Sequence, residues 1–141
     1  MTPQELFARS GLEGPYEAWA FGGDPDELAA LVVSGVKTAT CSAHALYAAD
    51  DEPLPQEGDY SVILNSRGEA VCIIRTTRVY LAPYCDVTPE HAFREGEGDR
   101  TLAYWRDVHE RFFTGEMRAA GMAFDENMLL VCEEFELIAT A

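Results

Sequence analysis

The sequence predicts an α+β fold. Three observations carry it: repeated helix starts built as cap, proline and acid; one β-hairpin in mid-chain; and a β-rich run near the C-terminal end. At 141 residues with ordinary apolar content, the chain forms one domain with a core of its own. That domain spans residues 1–141, with 1–18 as an N-terminal helical extension.

Thr2-Pro3-Gln4-Glu5 is a capping box with proline at the first helical position, so a short helix runs to about Ser10 and stops at Gly11. Tyr16, Trp19 and Phe21 follow as aromatic core anchors. Asp24-Pro25-Asp26-Glu27 repeats the start signal, and Leu28, Leu31 and Val32 fall on one helical face. Gly35 stands where a left-handed C-terminal cap belongs. Residues 42–49 read as another short helix, and 50–56 as an acidic, proline-punctuated loop.

A hairpin comes next: a strand from Asp59 to Leu64, a turn at Asn65-Ser66-Arg67-Gly68, and a long strand from Ala70 to Leu81. Thr88-Pro89-Glu90 opens a helix through about Arg94, which empties into Glu95-Gly96-Glu97-Gly98-Asp99. Leu102, Trp105, His109, Phe112 and Phe113 then recur at helical spacing until Gly121. His109 shares that apolar stripe, which suits a satisfied core histidine as well as a catalytic one. The last strand covers about 127–138. Strand alternation places Arg75 and Glu133 among apolar neighbours, and burying either charge alone is costly. The two residues either pair in a cleft or are turned outward by bulges.

Chemistry concentrates in Gly35-Val36-Lys37-Thr38-Ala39-Thr40, on the segment leaving the second helix. Lys37 is the only lysine; the other nine basic residues are arginines. An amine can give up its proton and a guanidinium cannot, so a lone lysine points to a site that uses the difference. Thr40 brings a hydroxyl that a neutral amine could activate. The plain alternative is a solvated lysine beside a helix end.

Several classes are excluded or disfavoured. The glycines around Lys37 do not make a phosphate loop, Gly96 and Gly98 do not make a dinucleotide fingerprint, and there is no nucleophile elbow. The four cysteines and three histidines lack zinc-ligand spacing, so neither metal nor cofactor is expected; Cys72 and Cys132 read as buried hydrophobes. A formal net charge of −15 disfavours duplex DNA, although most of the arginines follow Lys37 and a local basic cleft is open to them. No apolar run reaches the ~18 residues of a membrane span and no signal core opens the chain, so a cytoplasmic location is expected.

The helix, the Gly-x-Lys-Thr-x-Thr exit, Gly58-Asp59-Tyr60 before the hairpin, His91-Ala92-Phe93-Arg94-Glu95 and the terminal strand together resemble the ASCH domain family, over roughly Trp19 to Ile138. The resemblance implies a PUA-like fold, a small β-barrel flanked by helices, with a cleft for RNA or a nucleoside. It is nearest to the longer bacterial members described as predicted RNA-binding proteins. A shorter branch removes the acetyl group from N4-acetylcytidine with a lysine, a threonine three residues on and a glutamate. Lys37, Thr40 and Glu95 match those positions, although Glu97 and Asp99 lie on the same loop. Members nearer in length are associated with ribonuclease activity. The resemblance therefore implies a hydrolase on an acylated nucleoside or on short single-stranded RNA, with a binding-only module as the alternative. Thr38, Tyr47, Tyr60, Arg75, Arg100 and Glu133 are the expected substrate-binding residues, the arginines for phosphate and the tyrosines for stacking. The oligomeric state is open.

Overall fold

The computed structural model describes residues 1–141. Helix α1 (Pro3–Arg9) begins at Thr2, whose hydroxyl accepts from the Glu5 amide. Strand β1 (Glu17–Trp19) leads to α2 (Pro25–Val33), capped by Asp24, and Gly35 follows with φ of +82°. Strand β2 (Ala39–Ala43), helix α3 (His44–Ala49), and strands β3 (Tyr60–Leu64) and β4 (Ala70–Pro83) come next. Helices α4 (Pro89–Glu95) and α5 (Leu102–Ala119) precede strand β5 (Leu129–Thr140). Thr88 and Thr101 cap α4 and α5 with their hydroxyls. No helix is long and apolar enough to cross a membrane.

The strands form one mixed sheet in the order β1-β3-β4-β5-β2. Only β1 and β3 run parallel. The sheet curls into a half-barrel flanked by the five helices, an α+β, PUA-like architecture. Helix α1 packs Leu6 and Phe7 on Val62 and Ile73, whereas α2 packs Ala29 and Val32 on Ile63, Ile74 and Phe135. A third core joins Trp105, Phe113 and Met117 of α5 to Ala43, Leu130 and Cys132. Cys132 and Phe135 stand an odd number of positions apart on β5, so the α2 and α5 cores occupy opposite faces of that strand. Burial of Cys72 and Cys132 agrees with their reading as small hydrophobes.

Two short strands depart from the sequence reading. β1 lies in the segment read only as aromatic anchors, and β2 carries Thr40 where the sequence suggests a loop into a helix. The Arg75–Glu133 pair is corrected as well. Arg75 lies opposite Glu136 and bonds it at 3.2 Å, with both side chains largely in solvent. Glu133 is three positions from Glu136 and points to the other face, where Thr76 Oγ1 donates to it at 3.4 Å. Register shifts at Ile73/Ile74 and Thr76/Arg78 break the alternation on which the pairing rested.

Candidate active site

The segment leaving α2 is fixed from both sides. The amides of Val36 and Lys37 both bond to Leu31 O, the Thr38 amide donates to Arg94 O at 2.7 Å, and Phe135 N donates to Thr38 O. These bonds tie the exit segment to the end of α4 and to β5, and they drive Lys37 inward until it is 1% exposed. Gly96 is required at this junction: its φ is +74°, and a Cβ there would lie 2.6 Å from Val36 O.

Glu95 is the hub of the buried cluster. Its Oε2 accepts from Trp105 Nε1 and from His91 Nε2, each at 2.7 Å. Its Oε1 faces Lys37 Nζ at 3.3 Å and His109 Nε2 at 3.5 Å. Lys37 Nζ also reaches Glu95 O and Glu97 Oε2, both at 3.3 Å. Burial alone would push the Glu95 carboxyl up, but the Lys37 charge and the donors His109 and His91 hold it well below its ordinary value. Glu97 goes the other way: burial and the neighbouring Glu95 raise it, against the pull of Lys37. His109 stacks on Trp105 at 4.3 Å between ring centres and donates from Nδ1 to Trp105 O. Burial lowers its affinity for a proton, yet the hydrogen bond and charge of Glu95 more than offset that, so its pKa is raised.

Lys37, Thr40, Glu95, Glu97 and His109 line one cavity of about 250 Å³. This is at the small end of ligand pockets, which begin at about 300 Å³, and it suits a single nucleoside-sized group better than a strand. The Thr40 hydroxyl makes no hydrogen bond within the protein and is not sealed from solvent, so it is free to meet a ligand. Thr40 is also the cross-strand partner of Glu133. Of the sequence-derived residues, the structure thus brings Lys37, Thr40 and Glu95 to one cavity.

The others lie elsewhere. Arg100 donates to Phe93 O and Val36 O and stacks on Phe93 at 3.6 Å, beside an open groove that Thr38 also lines. Tyr60 packs edge-on against Phe7, and Arg75 is bonded to Glu136 on the surface. The Tyr47 hydroxyl lies 2.6 Å from Ser42 Oγ. Asp99 accepts from the amide and hydroxyl of Thr101, a local turn bond, and so is not part of the cluster. The sequence reading names His91 only within the motif around Glu95, with no role of its own, and assigns Trp105 to the core alone. Spacing adds a trace of both: His91–Glu95 and Trp105–His109 are i, i+4 pairs.

Two trios bring possible metal-ligand atoms within 4.8 Å of one another: Cys41, His91 and Glu95, and Glu95, Glu97 and His109. Both share Glu95, whose oxygens are already engaged by Lys37, His91 and Trp105. A cation would have to displace an ammonium there, so the donor set does not fit one.

The structure thus sets a half-barrel beside a buried lysine, on the segment leaving α2, that is paired to a glutamate at the end of α4. The chain belongs to the ASCH domain family, whose model matches residues 17–139. That membership is consistent with RNA binding. The crystal structure of an ASCH domain from Lactobacillus crispatus superposes with a TM-score of 0.90 at 32% identity, covering 96% of this chain and 93% of that one. A protein from Enterococcus faecalis gives 0.87 at 37% identity, covering 97% and 85%. An ASCH protein from Zymomonas mobilis, at 13% identity and a TM-score of 0.51 over 86% and 68%, shares the fold alone. No curated protein matches the sequence.

Proposed function

We propose that the protein is a hydrolase that removes an acyl group from a modified nucleoside, with Thr40 as nucleophile and Lys37 as proton carrier. The observation that carries this reading is the convergence of Lys37, Thr40 and Glu95 on one small cavity. Glu95 holds Lys37 in place. Glu97, whose carboxyl favours its proton more than an ordinary glutamate, accepts one from the Lys37 ammonium across 3.3 Å. The neutral amine then takes the Thr40 proton as Oγ1 adds to the acyl carbon. Collapse breaks the C–N bond, Lys37 returns the proton to the leaving nitrogen, and water cleaves the threonine ester by the reverse route. Strand cleavage of RNA is supported less well, because Arg75 and Arg100, the expected phosphate holders, lie outside the cavity.

Mass-spectrometric turnover on N-acylated cytidines and short single-stranded RNAs tests the reading. Wild type should release the acyl group, and Lys37→Ala and Thr40→Val should each lower the rate by more than about a thousandfold, the scale on which an essential nucleophile acts. A fall of only about fivefold for Thr40→Val fits one lost hydrogen bond in a binding module and rejects the nucleophile. RNA cleavage without acyl release replaces the substrate class.

A further inference from the structure

The wall of the cavity that α5 supplies takes no part in proton or acyl transfer. Helix α5 buries one stripe, Trp105, His109, Phe113 and Met117, as its core contact. The adjacent stripe, Tyr104, Val108 and Phe112, faces the cavity instead. Tyr104 is 39% exposed and Phe112 36%, high values for large aromatics in a small domain. Each ring rests on a glycine: a Cβ on Gly98 would lie 2.4 Å from the Tyr104 ring, and one on Gly22 would lie 2.6 Å from Phe112. Any side chain at either position would push its ring out of place. Phe21 and Leu28 add further apolar surface to the lining.

The charge of the lining restricts what can enter. Four carboxylates (Asp24, Glu27, Glu95 and Glu97) face the ammonium of Lys37 and the imidazole of His109, so acids outnumber bases, and no arginine lines the cavity. Lys37 is bonded to two of those carboxylates. A phosphate brought here meets net negative charge in a confined space, whereas a neutral or cationic planar ring meets apolar faces and hydrogen-bond acceptors.

We propose that Tyr104 and Phe112 are the base-recognition residues of this site, stacking a neutral or cationic nucleobase while the acidic lining turns away phosphorylated forms. This rests on the nucleoside reading and adds its specificity determinants. Stacking on an aromatic face is tolerant of which base is present but needs the π-surface itself.

Calorimetry on the full chain, with cytidine, N-acylated cytidine and cytidine 5′-monophosphate as probes, tests it. Tyr104→Leu and Phe112→Leu keep apolar volume while removing the ring, and their melting curves report whether the fold is intact. Each should weaken nucleoside binding by about tenfold, in line with the loss of one stacking partner. The monophosphate should bind at least tenfold more weakly than cytidine, and the gap should narrow in Glu27→Gln. Unchanged affinity in both leucine variants overturns the proposal, as does a monophosphate bound as tightly as the nucleoside, or no nucleoside binding up to millimolar concentration. Cytidine and its monophosphate carry no acyl group, so their binding is read without turnover and the two proposals fail separately. Tyr104-dependent binding with no acyl release removes the hydrolase reading alone. Acyl release with a KM indifferent to both leucine variants removes this one alone.

Discussion

Glu95 does at the residue scale what few carboxylates do: fully buried, it accepts from Trp105 and His91 on one oxygen and faces Lys37 and His109 with the other. Removing one partner of such a pair leaves the other uncompensated in a dry site. Glu95→Gln should therefore cost about 3 kcal/mol, the low end for a broken buried pair because Glu97 still holds Lys37. The pH dependence has a definite sign. The folded carboxyl titrates well below its ordinary 4.5, so its contribution is present above that value and is lost as pH falls through the folded one. Denaturant unfolding of wild type and Glu95→Gln should thus differ most near neutrality and converge as pH drops below about 4.5. A gap independent of pH means that the charge of Glu95 contributes nothing and that the loss comes from an amide NH2 set against the donors Lys37, His91 and Trp105.

At the scale of elements, the site depends on how α4 meets the segment leaving α2. Gly96 makes that junction: it is left-handed, and its missing side chain leaves room for Val36 O. Gly121 has nearly the same φ, +75°, but a Cβ added there would meet nothing within 4 Å. Alanine at Gly121 should therefore cost only backbone strain, about 1 kcal/mol, whereas Gly96→Ala should cost about 2–3 kcal/mol and lower turnover, because it must also move the Lys37 segment. Equal losses in thermal unfolding would remove the special role of the junction. The sequence made three helices legible because capping is local chemistry: Thr2, Asp24 and Thr88 each bond an amide three residues on, whereas α5 showed itself by apolar spacing. It left β1 and β2 hidden, since strands of three and five residues owe their state to partners far along the chain. The bulges of β4 are equally non-local, which is why alternation matches Arg75 to Glu133 when Glu136 is its partner. For the site, spacing marked Lys37 and Thr40, and the resemblance marked Glu95. The roles of His91, Trp105 and Tyr104 exist only once α4 and α5 are packed together.

Across the whole molecule, the acid excess of a chain with net charge −15 has to be housed, and the sheet carries part of that load on partly buried side chains. Glu133, the cross-strand partner of Thr40, is the clearest instance. Burial pushes its carboxyl up to about 7; the hydroxyl of Thr76 pulls the other way, and Asp59 and Glu17 add to the rise. The folded protein therefore keeps a proton that the unfolded chain has released at its ordinary 4.5. Where the folded state binds more protons than the unfolded one, stability falls as pH rises, here between about 4.5 and 7. Glu133→Gln keeps the shape and the hydrogen bond from Thr76 but cannot ionise. It should leave stability nearly unchanged at pH 4 and raise it at pH 8 by up to about 3 kcal/mol. Chemical denaturation at the two pH values checks this, with Glu136→Gln, half-exposed and paired to Arg75, as the comparison that should show no such gain. Equal effects of Glu133→Gln at both pH values would mean that Glu133 ionises freely. In that case the sheet would tolerate a charge on the Thr40 face of β5 without cost.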